Sequence, residues 1–178
     1  GTAGGDALHR CGQTGEIPMI GDWYADGTDN IGYHRGNYFA LDKNGNGIWE
    51  GPAGGDALYR FGQAGDTPLV GDWDGDGIDN IGYHRSNYFA LDRNGNGIWQ
   101  GTAGGDALYR FGLPGDTPLV GDWDGDGTDT VGIYNPALSA YYLRNANTNG
   151  GPDIVFQYGV ASWVPMKIDF LYPSGNEA

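Results

Sequence analysis

Gly71-Asp72-Trp73-Asp74-Gly75-Asp76-Gly77-Ile78-Asp79 is the stretch that organises this chain, and it returns as Gly121–Asp129 with Thr128 in place of Ile78. A third copy, Gly21–Asp29, keeps Asp22, Asp26 and Asp29 but carries Tyr24 and Ala25 where the others have Asp and Gly. Asp22, Asp72 and Asp122 are 50 residues apart, so one loop is used three times. Carboxylates on alternate residues repel one another, and such a cluster persists where a cation sits among them or where the loop stays fully solvated. The glycines favour the cation, because Gly75 and Gly77 let the backbone turn tightly enough for Asp72, Asp74 and Asp76 to converge.

Outward from the loop, residues 1–50, 51–100 and 101–151 align almost residue for residue, and 152–178 reads as a degenerate partial copy. All 178 residues therefore form one repeat domain. Each repeat reads as four short strands, placed in the second copy at about Ala57–Phe61, Pro68–Gly71, Asn80–Arg85 and Tyr88–Asp92. In the first of these Ala57, Tyr59 and Phe61 share one face and Leu58 and Arg60 the other. In the tail, Val155–Gly159 echoes Leu58–Gly62, and Pro165–Phe170 echoes Pro68–Trp73. The expected fold is all-β, with tandem four-stranded units of 50 residues arranged like the blades of a β-propeller. Counted by repeat, three sets of four strands plus two leave the ring open. Three arrangements answer that count: a piece of a longer repeat protein, a half-propeller completed by self-association, or a linear stack capped by its last copy.

The composition agrees, with 35 glycines, 13% aromatic residues and only two methionines. A formal net charge of -14 argues against nucleic acid and anionic membrane surfaces as partners. No apolar run reaches membrane-spanning length, and Gly1 opens no signal-peptide pattern, which a mature secreted chain would also lack. Cys11, the only cysteine, stands where the later repeats carry Phe61 and Phe111 and reads as a small buried hydrophobe. An extracellular setting, secreted or cell-surface, is expected because weak calcium loops fill where calcium is millimolar.

Val70–Gly77, preceded by Tyr59-Arg60-Phe61-Gly62, resembles the FG-GAP and VCBS type repeats, which build the calcium-binding propeller of integrin alpha subunits and of many bacterial surface or secreted proteins. The resemblance runs through about Phe170. It implies Ca2+ as the cofactor, held by side chains at places one, three, five and nine and by the backbone carbonyl at place seven. Those are Asp72, Asp74, Asp76 and the carbonyl of Ile78, then Asp122, Asp124, Asp126 and the carbonyl of Thr128. The sequence departs at the last ligand: Asp79 and Asp129 stand at place eight, so coordination is rearranged around them or closed by water. In the first repeat Asp22, Asp26 and Asp29 make a weaker site or none. A helix-loop-helix calcium site is excluded because place twelve from Asp72 is Tyr83, where that loop needs Glu.

A second loop, Asp42–Glu50, puts Asp42, Asn44, Asn46 and Glu50 at places one, three, five and nine. Asp92, Asn94 and Asn96 repeat it, with Gln100 for Glu50. Its alternative reading is an Asn-Gly hairpin turn. Catalysis needs an unrepeated nucleophile or acid-base pair, and none stands out. His34 and His84 align with Tyr134, and His9 with Tyr59 and Tyr109, as structural aromatics would. Trp23, Trp73, Trp123, Trp49 and Trp99 read first as packing between units and second as sugar-stacking faces of a lectin. The expected function is a non-catalytic, calcium-binding repeat domain for structure, adhesion or assembly. Its partners would be another protein or a glycan at the cell surface, or a further copy of the chain. The alternatives are a lectin-like β-propeller and an accessory module of a secreted hydrolase.

Overall fold

The computed structural model describes residues 14–160 of the chain. Cys11, His9 and the echo at Pro165–Phe170 lie outside the described residues. Among the described residues twelve strands make three four-stranded sheets, and every pairing between neighbouring strands is antiparallel. The first sheet holds β1 (Ile17–Gly21), β2 (Asn30–Arg35), β3 (Tyr38–Leu41) and β4 (Ala57–Arg60). The second holds β5 (Thr67–Gly71), β6 (Asn80–Arg85), β7 (Tyr88–Leu91) and β8 (Ala107–Arg110). The third holds β9 (Thr117–Gly121), β10 (Thr130–Asn135), β11 (Ala140–Leu143) and β12 (Ile154–Gln157).

Each sheet is a simple meander, but it is out of phase with the sequence repeat. The strand that opens one repeat closes the sheet of the repeat before it: β4 pairs with β3 in the register Leu41↔Ala57, and β8 pairs with β7 in the register Leu91↔Ala107. The grouping expected from the repeat, four strands within 51–100, is therefore corrected. The same holds at the tail, where Ile154–Gln157 opens the partial copy 152–178. It completes the third sheet, in the register Leu143↔Ile154.

The core lies between the sheets. Met19, Phe39, Leu41 and Ala57 of the first sheet meet Ile81 and Ala90 of the second around Trp23 and Phe61. On the opposite face of the second sheet Leu69, Phe89, Leu91, Ala107 and Tyr109 meet Val120, Val131 and Ile133 of the third around Trp73 and Phe111. The period-two alternation of each strand supplies both faces of the middle sheet, so it is buried on two sides. Phe89 is fully buried, and its truncation to alanine would cost about 3–5 kcal/mol. Trp73 also donates its indole N–H to the carbonyl of Ile81 at 3.1 Å, which fixes the acidic loop to the strand that follows it. Between sheets, β1 lies beside β5 and β5 beside β9, so the three acidic loops that follow these strands come out on one side.

Candidate metal centres

The acidic loops have one geometry, built by the first aspartate of each. Asp72 Oδ1 accepts the N–H groups of Gly75 and Asp76 at 2.8 and 3.1 Å, and its Oδ2 accepts that of Gly77 at 2.7 Å. Asp122 repeats this with Gly125, Asp126 and Gly127, and Asp22 does so with Tyr24, Asp26 and Gly27. The turn demands left-handed backbone at Gly75 and Gly77, with φ of 76° and 86°. Ala25 adopts the same conformation at φ 56° without being glycine.

Around these turns the carboxylates converge. Oxygens of Asp72, Asp74 and Asp76 lie within 4.8 Å of one another, as do those of Asp122, Asp124 and Asp126. These are the only two such groupings among the described residues, and the first loop, with Tyr24 at the second place, does not form one. Burial pushes the Asp74 carboxyl above its ordinary range, and the charges of Asp76 and Asp72 push it further. For Asp122 burial also acts upward, but the N–H groups of Gly127, Gly125 and Asp126 outweigh it and hold the carboxyl below the ordinary value. Asp22 behaves the same way. Each full loop thus has a first aspartate that accepts three backbone N–H groups, with two further carboxylates close beside it. Such a donor set fits a hard cation with oxygen ligands.

The remaining predicted ligands are placed differently. Asp79 does not turn back into its own loop: its Oδ2 accepts the N–H of Asp22 in the neighbouring sheet at 2.9 Å, and its own N–H donates to the carbonyl of Asp22 at 2.8 Å. Asp129 makes the same pair of bonds to Asp72. The carbonyl of Ile78 accepts the side-chain amide of Asn80 at 3.4 Å. Asp26 Oδ1, Asp76 Oδ1 and Asp126 Oδ1 accept the N–H two residues on, at Thr28, Ile78 and Thr128. Asp29 joins none of the carboxylate groupings.

In the second loop the asparagines tie the turn together. Asn44 and Asn46 use their oxygens on the N–H groups of Asn46 and Ile48, and their amides donate to Glu50 Oε2. Asn94 and Asn96 act alike on Asn96 and Ile98. Asp42 and Asp92 are different, for both are buried and each gives Oδ2 to the N–H of a glycine, Gly47 or Gly97, at 2.6 Å. Burial raises the Asp92 carboxyl to about 6, against the hydrogen bond from Gly97 and helped by the charge of Asp106. Asp56 and Asp106, which the repeat alone did not single out, are buried as well and give Oδ2 to the N–H groups of Glu50 and Gln100.

The other candidate chemistry is packed away. His34 and His84 lie 4.5 Å from Phe39 and Phe89, ring centre to ring centre, in the structural place expected of them. Trp23 and Trp73 are buried between sheets, while Trp99 is 38% exposed and packs edge-on against Phe61. No described helix is long and apolar enough to cross a membrane. In comparisons with known proteins the chain matches no family model, no curated protein and no solved structure.

Proposed function

We propose that this chain is a calcium-stabilised repeat domain of the FG-GAP or VCBS kind, extracellular and non-catalytic, with its sheets set like propeller blades. The observation that carries the proposal is the pair of carboxylate triplets, Asp72-Asp74-Asp76 and Asp122-Asp124-Asp126, gathered on equivalent loops within 4.8 Å. Calcium accepts six to eight oxygen ligands, and three carboxylates with backbone carbonyls and water meet that need. The meandering sheets, stacked face on face with β1, β5 and β9 side by side, support the blade-like arrangement. Burial of Trp23 and Trp73 favours a structural role over sugar stacking for those two aromatics.

In this reading calcium acts on folding. It cancels repulsion inside the loops that join the first two strands of a sheet, and its binding free energy adds to stability by mass action. The domain would then be rigid at extracellular calcium and would present its surface for adhesion or assembly.

The test is thermal unfolding with millimolar calcium and with excess chelator, on the parent chain and on Asp74→Asn. Calcium should raise the parent's melting temperature, and Asp74→Asn should lose part of that rise while matching or exceeding the parent in chelator, where it relieves repulsion. Identical melting in both conditions for the parent would sink the proposal.

A further inference from the structure

At the same end of each sheet as its acidic loop, the last two strands end on a pair of residues one step beyond their paired register. Leu41↔Ala57 is followed by Asp42 and Asp56, Leu91↔Ala107 by Asp92 and Asp106, and Leu143↔Ile154 by Arg144 and Asp153. The three places are equivalent in the backbone too, since Asp42, Asp92 and Arg144 each donate their N–H at 3.0 Å, to the carbonyls of Ile31, Ile81 and Val131.

In the first two sheets this pairs acid with acid in the interior. Asp42 and Asp56 are each 6% exposed, Asp92 is 1% and Asp106 4% exposed. All four use Oδ2 on backbone N–H groups, and all four leave Oδ1 buried with no hydrogen-bond partner. A buried carboxylate oxygen without a donor is costly, and in the second sheet the charge of Asp106 also acts on Asp92. In the third sheet the same place is filled by a cation from the chain itself: the buried guanidinium of Arg144, 3.9 Å from Asp153, also reaches the carbonyl of Gly151 and the hydroxyl of Thr148. The sheet with its own positive charge shows which sign the other two lack.

We infer that Asp42 with Asp56, and Asp92 with Asp106, each hold a divalent cation of the calcium type, in the position that the Arg144 guanidinium occupies in the third sheet. This is a second class of site, distinct from the acidic loops and not dependent on them. It differs from the ligand set expected for the second loop, because Asn44, Asn46, Asn94 and Asn96 are spent on the turn, whereas the partner carboxylate comes from the next strand.

The experiment counts calcium bound per chain by titration calorimetry after chelator treatment, in the parent and in an Asp74→Asn/Asp124→Asn background with both triplets weakened. That background should still bind calcium, and adding Asp92→Asn or Asp106→Asn should each remove one ion per chain while circular dichroism keeps the parent spectrum. Asp92→Arg, which copies the third sheet, should also remove one ion and should raise the melting temperature in chelator above the parent's. If the parent binds calcium and the background binds none, this inference fails and the acidic-loop reading stands. An ion count unchanged by both Asp92→Asn and Asp106→Asn would likewise overturn it, leaving the paired carboxylates to share a proton.

Discussion

Asp79 grips Asp22 across 57 residues of sequence, its Oδ2 and its N–H taking the N–H and the carbonyl of the same residue in the neighbouring sheet. Asp129 holds Asp72 identically. An aspartate that reads as the last ligand of its own loop is therefore the clasp between two loops. Its place at position eight, one short of the calcium spacing, follows from that duty.

Asp79→Ala should remove one such clasp and leave the Asp22 N–H in search of a partner, at a cost of about 1–3 kcal/mol. Denaturant unfolding in chelator isolates this from any metal contribution. Asp129→Ala should cost a similar amount, and the two losses should add, because they act at different sheet junctions. A destabilisation seen only with calcium present would assign these residues to ligation.

Burial holds the imidazoles of His34 and His84 below the ordinary histidine range, against the charges of Asp66 and, for His84, of Asp116 ahead of Asp66. The unfolded chain then binds protons more readily than the folded one. Their contribution to stability is whole above about pH 6.5 and is lost as the pH falls below it, by at most about 2 kcal/mol per histidine at pH 5. His84→Tyr, which copies Tyr134, should flatten the fall measured between pH 7 and pH 5 relative to the parent. Asp92 works in the opposite direction: its carboxyl, raised to about 6, stabilises the fold as the pH drops from there toward 4. The difference between variant and parent, not the raw curve, is the quantity to follow.

Ala25 occupies left-handed backbone at φ 56° in the loop where its counterparts are Gly75 and Gly125. Ala25→Gly should stabilise the chain by about 0.5–1 kcal/mol, since relief of the left-handed strain exceeds the added freedom of the unfolded state. Urea midpoints at constant slope would show it.

Gly97 is required twice over: its φ is 72°, and a Cβ there would overlap the ring of Tyr59 from the preceding sheet. Gly97→Ala should cost at least about 2 kcal/mol. With Tyr59→Ala in the same chain the combined loss should fall short of the sum, because the clash is gone and only the backbone strain remains. Full additivity in a double-mutant cycle would place the cost in the backbone alone.

Much of this architecture is legible in the residues. Alternation in Ala57-Leu58-Tyr59-Arg60 and the runs at Asn80 and Tyr88 mark the strands, because a sheet buried on one or both faces imposes its period on the side chains. The convergence of Asp72, Asp74 and Asp76 is legible for the same local reason, since neighbouring places and two glycines decide it. What the repeat hides is phase. A 50-residue period is the same wherever counting starts, and only the pairing of Leu41 with Ala57 reveals that a sheet straddles the repeat boundary. The neighbourhood of Asp56 with Asp42, and of Asp106 with Asp92, is not legible within one repeat because it crosses that boundary. The signal was present nonetheless, in the exchange of Asp92 for Arg144 opposite an unchanged aspartate at 106 and 153.

Because each repeat lends its opening strand to the sheet before it, the loop around Gly51–Asp56 is a covalent stitch through a unit that is already hydrogen-bonded shut. Gain or loss of one 50-residue period anywhere in the gene would add or delete one whole sheet, with every joint identical to the old ones. Copy number can therefore drift over generations while the seams stay as they are, and a protease that nicks the chain near Gly101 would leave two fragments still laced by β7 and β8.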